Sequence, residues 1–373
     1  MPKEPSDART TGGSPARAAA PGTTETAPRA EVAPHPDLLR SDQAVAWRLL
    51  TSGLDELWDE VAREAEGATF FHTPAWARIC CASWRAWRAA PLGIEYSDGN
   101  RAILPFLRRA HLVPGAGHYE SMLPGVYGGP LFLAPPSAAH WQACWEVVDE
   151  LPDVFLYGNP FLEWEGCAAG QVVTETTHVL DLASGYDEVF RRFRYSYRSG
   201  IRAARKRGLE VGLAETAADV DAYVRLYRDS LRRWGRRARG YYPARLFHNL
   251  FEAGRTEPVR LWLVKEEGRI VGGAWVLYHG EHADYWHGAV DSSAMIHYPV
   301  HLLIATAIED ACANGYRWFD FNPSGGLEGV ELFKRGFHPE TPSFSVVTRL
   351  GARASAYRTY RRVCEKRLGR CPL

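Results

Sequence analysis

Eight cations and no carboxylate occupy residues 191 to 207: Arg191, Arg192, Arg194, Arg198, Arg202, Arg205, Lys206 and Arg207. Arg194, Arg198, Arg202 and Arg205 are spaced by four, four and three, the steps that share one face of a helix. Like charges so placed repel by a few tenths of a kcal/mol per pair. A second acid-free run holds Arg232, Arg233, Arg236, Arg237 and Arg239. Lys+Arg and Asp+Glu both total 44, so the positive charge is segregated, not general. That excludes a histone-like coat for DNA and points to a local phosphate-bearing partner. Guanidinium groups meet phosphate in bidentate fashion. The plainer alternative is a solvated face in an arginine-rich chain.

Other spacings carry less. Tyr285 and His287 alternate along an expected strand, which would put them on one face of a cleft; core packing of Tyr285 is the alternative. His297 and His301 have metal-ligand spacing, but no third ligand is evident and His297 precedes Pro299, so no metal site is expected. No GxSxG and no GxGxxG after a strand occurs, which removes the usual signatures of serine hydrolases and dinucleotide binding. Only five residues are lysine: Lys3, Lys206, Lys265, Lys334 and Lys366. A lysine at a special position is therefore informative.

These side chains need elements to hold them. Residues 1–40 lack aromatics and read as a disordered tail. Apolar steps predict helices over 43–61 and 70–87, then a hairpin over 92–108 turning at Ser97-Asp98-Gly99-Asn100. A helix over 140–151 and strands over 154–157 and 172–180 follow. The second half predicts a helix over 186–207, a strand over 209–214 and helices over 217–237 and 243–253. Then come three meandering strands over 259–290 and an apolar helix over 300–313 closed by Asn314-Gly315. A short strand over 318–321, a helix over 328–335, a strand over 343–348 and a basic helix over 353–367 complete the chain. The seven cysteines form no CxxC pair and suit a reducing compartment. No run approaches the roughly 20 apolar residues of a membrane span, and the N-terminus lacks a signal-peptide core. A soluble, cytoplasmic protein is expected.

This order, with several strings, resembles the GNAT acyltransferase fold, and more closely the FemAB group of two GNAT-like domains in tandem. One string runs from Phe193-Arg194-Tyr195-Ser196-Tyr197-Arg198 to Arg205-Lys206-Arg207-Gly208 before a strand. A second spans residues 302–321 and ends in Phe319-Asp320-Phe321. A third, 327–337, contains Phe333-Lys334. In the first half, Phe70-Phe71-His72-Thr73-Pro74-Ala75-Trp76, Leu104-Pro105-Phe106 and Tyr127-Gly128-Gly129-Pro130 are similar to the group's first domain. The likeness covers residues 43–350. The expected class is mixed α/β: a tail over 1–40, GNAT-like domains over 41–180 and 181–350, and a basic helix over 351–373.

The resemblance implies an acyltransferase. FemAB-like proteins move an aminoacyl group from aminoacyl-tRNA to an amine, either a peptidoglycan precursor or a small natural-product amine; the wider fold uses acyl-CoA. Arg194, Arg198, Arg202 and Arg205 would then hold tRNA phosphates. CoA users bind pyrophosphate at a glycine loop opening a helix. Here that helix follows His297-Tyr298-Pro299, without glycine, which favours aminoacyl-tRNA as co-substrate and no other cofactor. Lys334 would stabilise the oxyanion and Asp320 the attacking amine. Phe333, Asn322, Tyr285 and His287 would bind substrate. Cys80 stands where the group often has a phosphate-holding lysine, and the long helical arm of some members is missing. Both disfavour a peptidoglycan precursor and favour a small amine, as in antibiotic biosynthesis. An acyl-CoA-dependent N-acyltransferase, a peptidoglycan-precursor aminoacyltransferase and a non-catalytic tRNA-binding protein are the alternatives.

Overall fold

The computed structural model describes residues 45–109, 117–123, 126–235 and 241–351. The expected tail over 1–40, the basic helix over 353–367, and Arg236, Arg237 and Arg239 lie outside the described residues. Among the described residues no helix is long and apolar enough to cross a membrane.

The first half opens with β1 (Trp47–Leu50) and α1 (Leu54–Glu64). The helical period expected from 43 onward does not hold over 47–50. β1 pairs antiparallel with a later strand, Trp47 facing Tyr96, and Gly53, left-handed at φ 65°, separates it from α1. Sheet pairing outweighs a two-turn apolar period. A 3-10 turn, Phe70–His72, leads into α2 (Pro74–Ser83), capped by the Thr73 hydroxyl with proline in its first turn. Then come β2 (Trp87–Ala89), β3 (Leu92–Tyr96), β4 (Arg101–Leu104) and β5 (Leu107–Arg109). Pro105, which cannot donate to a ladder, divides β4 from β5. After β6 (His118–Glu120), β7 (Leu131–Phe132) and α3 (Ala138–Glu150) follow β8 (Val154–Tyr157) and β9 (Gln171–Thr176).

The second half is built on one six-stranded sheet. Its strands are β10 (Val179–Asp181), β11 (Glu210–Leu213), β12 (Val259–Glu266), β13 (Arg269–His279), β14 (His282–Val290) and β15 (Trp318–Asp320), in the order β10-β15-β14-β13-β12-β11. The expected helix over 186–207 is two helices, α4 (Tyr186–Arg192) and α5 (Tyr195–Lys206). The break occurs because Phe193 turns into the core against Phe190 and Phe337, while the Arg194 amide bonds to Gly336 O. α6 (Ala217–Trp234) starts at a Thr216–Asp219 capping box, α7 (Ala244–Ala253) follows, and α8 (Pro299–Ala313) ends at Asn314. α9 (Glu328–Arg335) and β16 (Ser343–Arg349) complete the chain. β16 leaves the second-half sheet and pairs with β8 and β9.

One sheet face packs α4, α5 and α8 through Val264, Val271, Val276 and Ile304. The other, with Leu261, Leu263, Trp275 and Leu277, packs α6, α7 and the first half. The seam is specific: Trp76 meets Trp286 at 5.5 Å, and His279 Nε2 lies 2.6 Å from Ala62 O. Two features shape the site. β14 and β15 are parallel but pair only from His282↔Trp318 to Asp284↔Asp320, after which β14 runs on paired to β13 alone. β14 also carries an irregularity, with Val276 opposite Tyr285 but Trp275 opposite His287.

Candidate active site

Where β14 and β15 part, a cleft of about 900 Å³ opens, lined by Tyr285, Gly288, Met295, Val300, His301, Leu327, Glu328 and Phe333, with Ser230 and Arg233 at one side. The sheet bulge explains how Tyr285 reaches it. Neighbouring residues Trp275 and Val276 point to opposite faces, so their partners His287 and Tyr285 do too. Tyr285 packs on Phe321 beside the cleft. His287 instead lies among Tyr223, Tyr227, Tyr242 and Phe247 on the opposite face, next to the Tyr223 hydroxyl. The expectation that Tyr285 and His287 share a face is thus corrected: one extra residue in the strand reverses the alternation. Gly288 is needed where it is, since a Cβ there would stand 2.1 Å from Tyr285 Oη.

The opposite wall is aromatic. His301, in the first turn of α8, packs on Tyr197 at 4.4 Å, Tyr298 at 5.3 Å and Phe333 at 5.3 Å. Burial lowers its pKa to about 4, so the ring is neutral at pH 7. Tyr197 donates to Phe333 O at 2.9 Å, tying α5 to α9. Gly200 lets α5 approach closely, as a Cβ there would meet the Tyr298 ring at 2.6 Å. The connection from β14 to α8 is a 3-10 turn, Ser292–His297, with Asp291 capping it and proline opening the helix.

Lys334, Asp320 and Asn322 come together, but in a buried layer adjoining the cleft and not on its lining. Lys334, at 3% exposure, is no surface lysine. Its ammonium donates to Asn322 O at 2.6 Å. Burial lowers its pKa to about 8, opposed by the charges of Asp320 and Glu331. Asp320 Oδ1 accepts from Thr177 Oγ1 and the Asn322 amide, both at 2.8 Å. Burial raises its pKa to about 6, resisted by the Tyr127 and Thr177 hydroxyls, the Asn322 amide and Lys334. Tyr127 faces Asp320, although its hydroxyl completes no bond of normal geometry. These contacts hold Asn322 left-handed at φ 59°. Its side-chain amide then donates to Tyr285 O at 3.3 Å, so the layer positions the cleft wall.

The arginines divide. Arg194, Arg202 and Arg205 are exposed and Arg198 is half-buried. Arg194 precedes α5 as its N-cap, so the four do not sit on one helix. Acids from other elements neutralise two cations, Arg205 pairing with Glu309 at 3.2 Å and Arg207 with Glu266 at 2.6 Å, and within α4 Arg191 pairs with Glu188 at 2.8 Å. Among the described residues Arg194, Arg198 and Arg202 have no carboxylate partner, and Arg202 lies over the Phe190 ring at 5.8 Å. Arg233, from the second basic run, reaches the cleft. His297 bonds to Glu266, away from His301's aromatic nest. Sequence reasoning missed Asp284, Tyr127 and Gly288. A paired acid on two strands becomes visible only once the register is known.

A family model described as an acetyltransferase (GNAT) domain matches residues 191–335. A comparison with curated proteins found no match. Among solved structures, FemX is similar at 14% identity with a TM-score of 0.59, over 80% of this chain and 96% of that one. A C-terminal domain assigned to a lysylphosphatidylglycerol synthetase from Agrobacterium fabrum is similar at 12% identity with a TM-score of 0.50, over 83% and 95%. A tandem GNAT protein from the clavulanic acid biosynthesis pathway is 11% identical with a TM-score of 0.41, over 82% and 98%. The family match spans α5, the meander, α8, the parted strands and α9, which together build the cleft. Residues 191–335 of this mixed α/β chain thus match a GNAT-domain model, and the second half has the GNAT fold.

Proposed function

We propose that the protein moves an aminoacyl group from aminoacyl-tRNA to a small amine and forms an amide. The observation that carries this reading is the cleft's own architecture. Its β14–α8 connection is a glycine-free 3-10 turn, not an open amide cradle, while Arg198 and Arg202 on α5 and Arg194 at its N-cap have no carboxylate partner among the described residues. Arginines without acid partners suit a phosphate-bearing strand. Cys80, at the position where FemAB-like proteins often hold a phosphate with lysine, is fully buried in α2, which supports a small acceptor over a nucleotide-linked precursor.

In this reading the amine nitrogen attacks the ester carbonyl, the C–N bond forms, and negative charge gathers on the carbonyl oxygen. The C–O bond to the ribose then breaks, and the proton lost by the amine ends on the leaving oxygen. Neutral His301 stands in the cleft as the proton carrier. Tyr285 and Phe333 hold the aminoacyl group. Lys334 and Asp320 act from behind by fixing Asn322 and by their charge.

One observation favours a second donor. The first turn of α8, with Val300 and His301, lines the cleft, and a helix start can hold an acyl-CoA phosphate. Reaction with a mixture of charged tRNAs and amines distinguishes the two. Consumption of one aminoacyl ester, with an amide found by mass spectrometry and abolished by ribonuclease, is expected. Amide formed from acyl-CoA without RNA would transfer the activity to that donor. Binding of tRNA without any amide would leave a non-catalytic protein.

A further inference from the structure

A pair of buried acids lies on the seam face of the second-half sheet, beside the cleft but not in it. Asp284 and Asp320 are register partners on β14 and β15, so their side chains leave the same face next to each other. Both are fully buried. Asp320 Oδ1 has its two donors, yet Asp320 Oδ2 and both oxygens of Asp284 have no hydrogen-bond partner. Buried polar atoms are ordinarily bonded, and two ionised carboxylates cannot stand side by side out of water. A single proton answers both problems, because a carboxylic acid donates to a carboxylate.

We infer that Asp284 is a protonated acid that shares its proton with Asp320, and that it thereby acts as a positioning residue for the cleft wall. Among the described residues the surroundings supply one positive charge. Lys334 from α9, with Glu331 near it, acts on Asp320. Tyr127 and Thr177 offer hydroxyls, and the Phe70 amide faces Asp284. His178, beside Thr177, and His282, on the same face of β14, are both held below their ordinary pKa by burial and bring no charge at neutral pH. So the acid without an ammonium, Asp284, keeps the proton, and burial together with Asp320 raises its pKa well above the ordinary value. Asp320, relieved of its neighbour's charge, stays the acceptor that holds Asn322, and Asn322 holds Tyr285. This inference does not depend on the donor or acceptor of the transfer reaction.

The test compares the folding equilibrium of the full-length protein with that of Asp284→Asn across pH. Asparagine keeps a donor toward Asp320 but carries no titrating proton. Unfolding the wild type must release the Asp284 proton above the ordinary value of 3.8. The variant's folding constant should therefore gain on the wild type about tenfold per pH unit from about pH 5 to about pH 7. A ratio that stays flat over that range means an ionised Asp284 and overturns the inference. If Asp284→Asn does not fold, infrared spectroscopy of the wild type decides. A protonated-carboxyl band at neutral pH that disappears on thermal unfolding is expected, and its absence would refute the shared proton.

Discussion

Lys334 is the residue on which a purely electrostatic role meets a structural one. Its ammonium is out of water, held by Asn322 O and near Asp320. Removing that ammonium leaves the Asn322 carbonyl and the nearby Asp320 charge uncompensated out of water, at a cost of about 3 kcal/mol. We expect Lys334→Met to lose roughly that much in denaturant unfolding and to lose turnover with it. Adding Asp320→Asn should return most of the stability but not the turnover; a Lys334→Met protein of wild-type stability would contradict this account. Gly288 tests the cleft wall more locally. Gly288→Ala drives a Cβ onto Tyr285 Oη, so turnover should fall by at least about tenfold with a small stability change of about 1–3 kcal/mol. Tyr285→Phe removes the clashing atom. If the double variant is no better than Gly288→Ala, Tyr285 is not the contact that matters.

At the scale of elements, the bulge in β14 and the break between α4 and α5 decide which side chains meet substrate. The bulge sends Tyr285 to the cleft and His287 into the aromatic nest. The break makes Arg194 a rim residue beside α9, while Arg198 and Arg202 follow one turn apart on α5, about 6 Å along the axis. Arg205 is already engaged by Glu309. Binding of a tRNA acceptor-stem hairpin, followed by fluorescence anisotropy, should therefore respond unequally. Arg198→Glu with Arg202→Glu should weaken binding at low salt and reduce the slope of log affinity against log salt by about 2. Arg205→Glu should change it less. An equal effect of all three would mean a diffuse field and not a defined contact.

Across the described residues, six buried or half-buried histidines must stay uncharged for the fold to pack. Burial lowers His72 and His301 to about 4 and His282 and His287 to about 3. It also lowers His178 and His279. Each is neutral when folded but takes up a proton below about pH 6.5 when unfolded. The unfolded chain then binds more protons, so stability falls as pH drops. Asp284, Asp320 and Glu120 work in the opposite sense, because burial raises their values and so favours the folded state in acid. Six histidines against three acids leave a net loss. Unfolding free energy measured across pH should decline from about pH 6.5 to about pH 4, and a flat profile would mean that these rings are charged or solvated in the folded protein.

The sequence by itself determined most of the second half. The meander, α6 with its Thr216 cap, α8 with its Asn314-Gly315 stop and α9 follow from local period and capping, and these signals act within a few residues. Lys334, Asp320 and Asn322 were nameable only through the resemblance of the strings around them to the FemAB group and the GNAT fold. Tertiary structure alone decided how those residues are used. β1 is a strand because β3 pairs with it. His287 leaves the cleft because one residue is added to β14. Lys334 is buried, and Asp284 matters, because strands far apart in the chain lie in register. Pairing, bulges and burial depend on contacts between distant segments, and no local spacing encodes them.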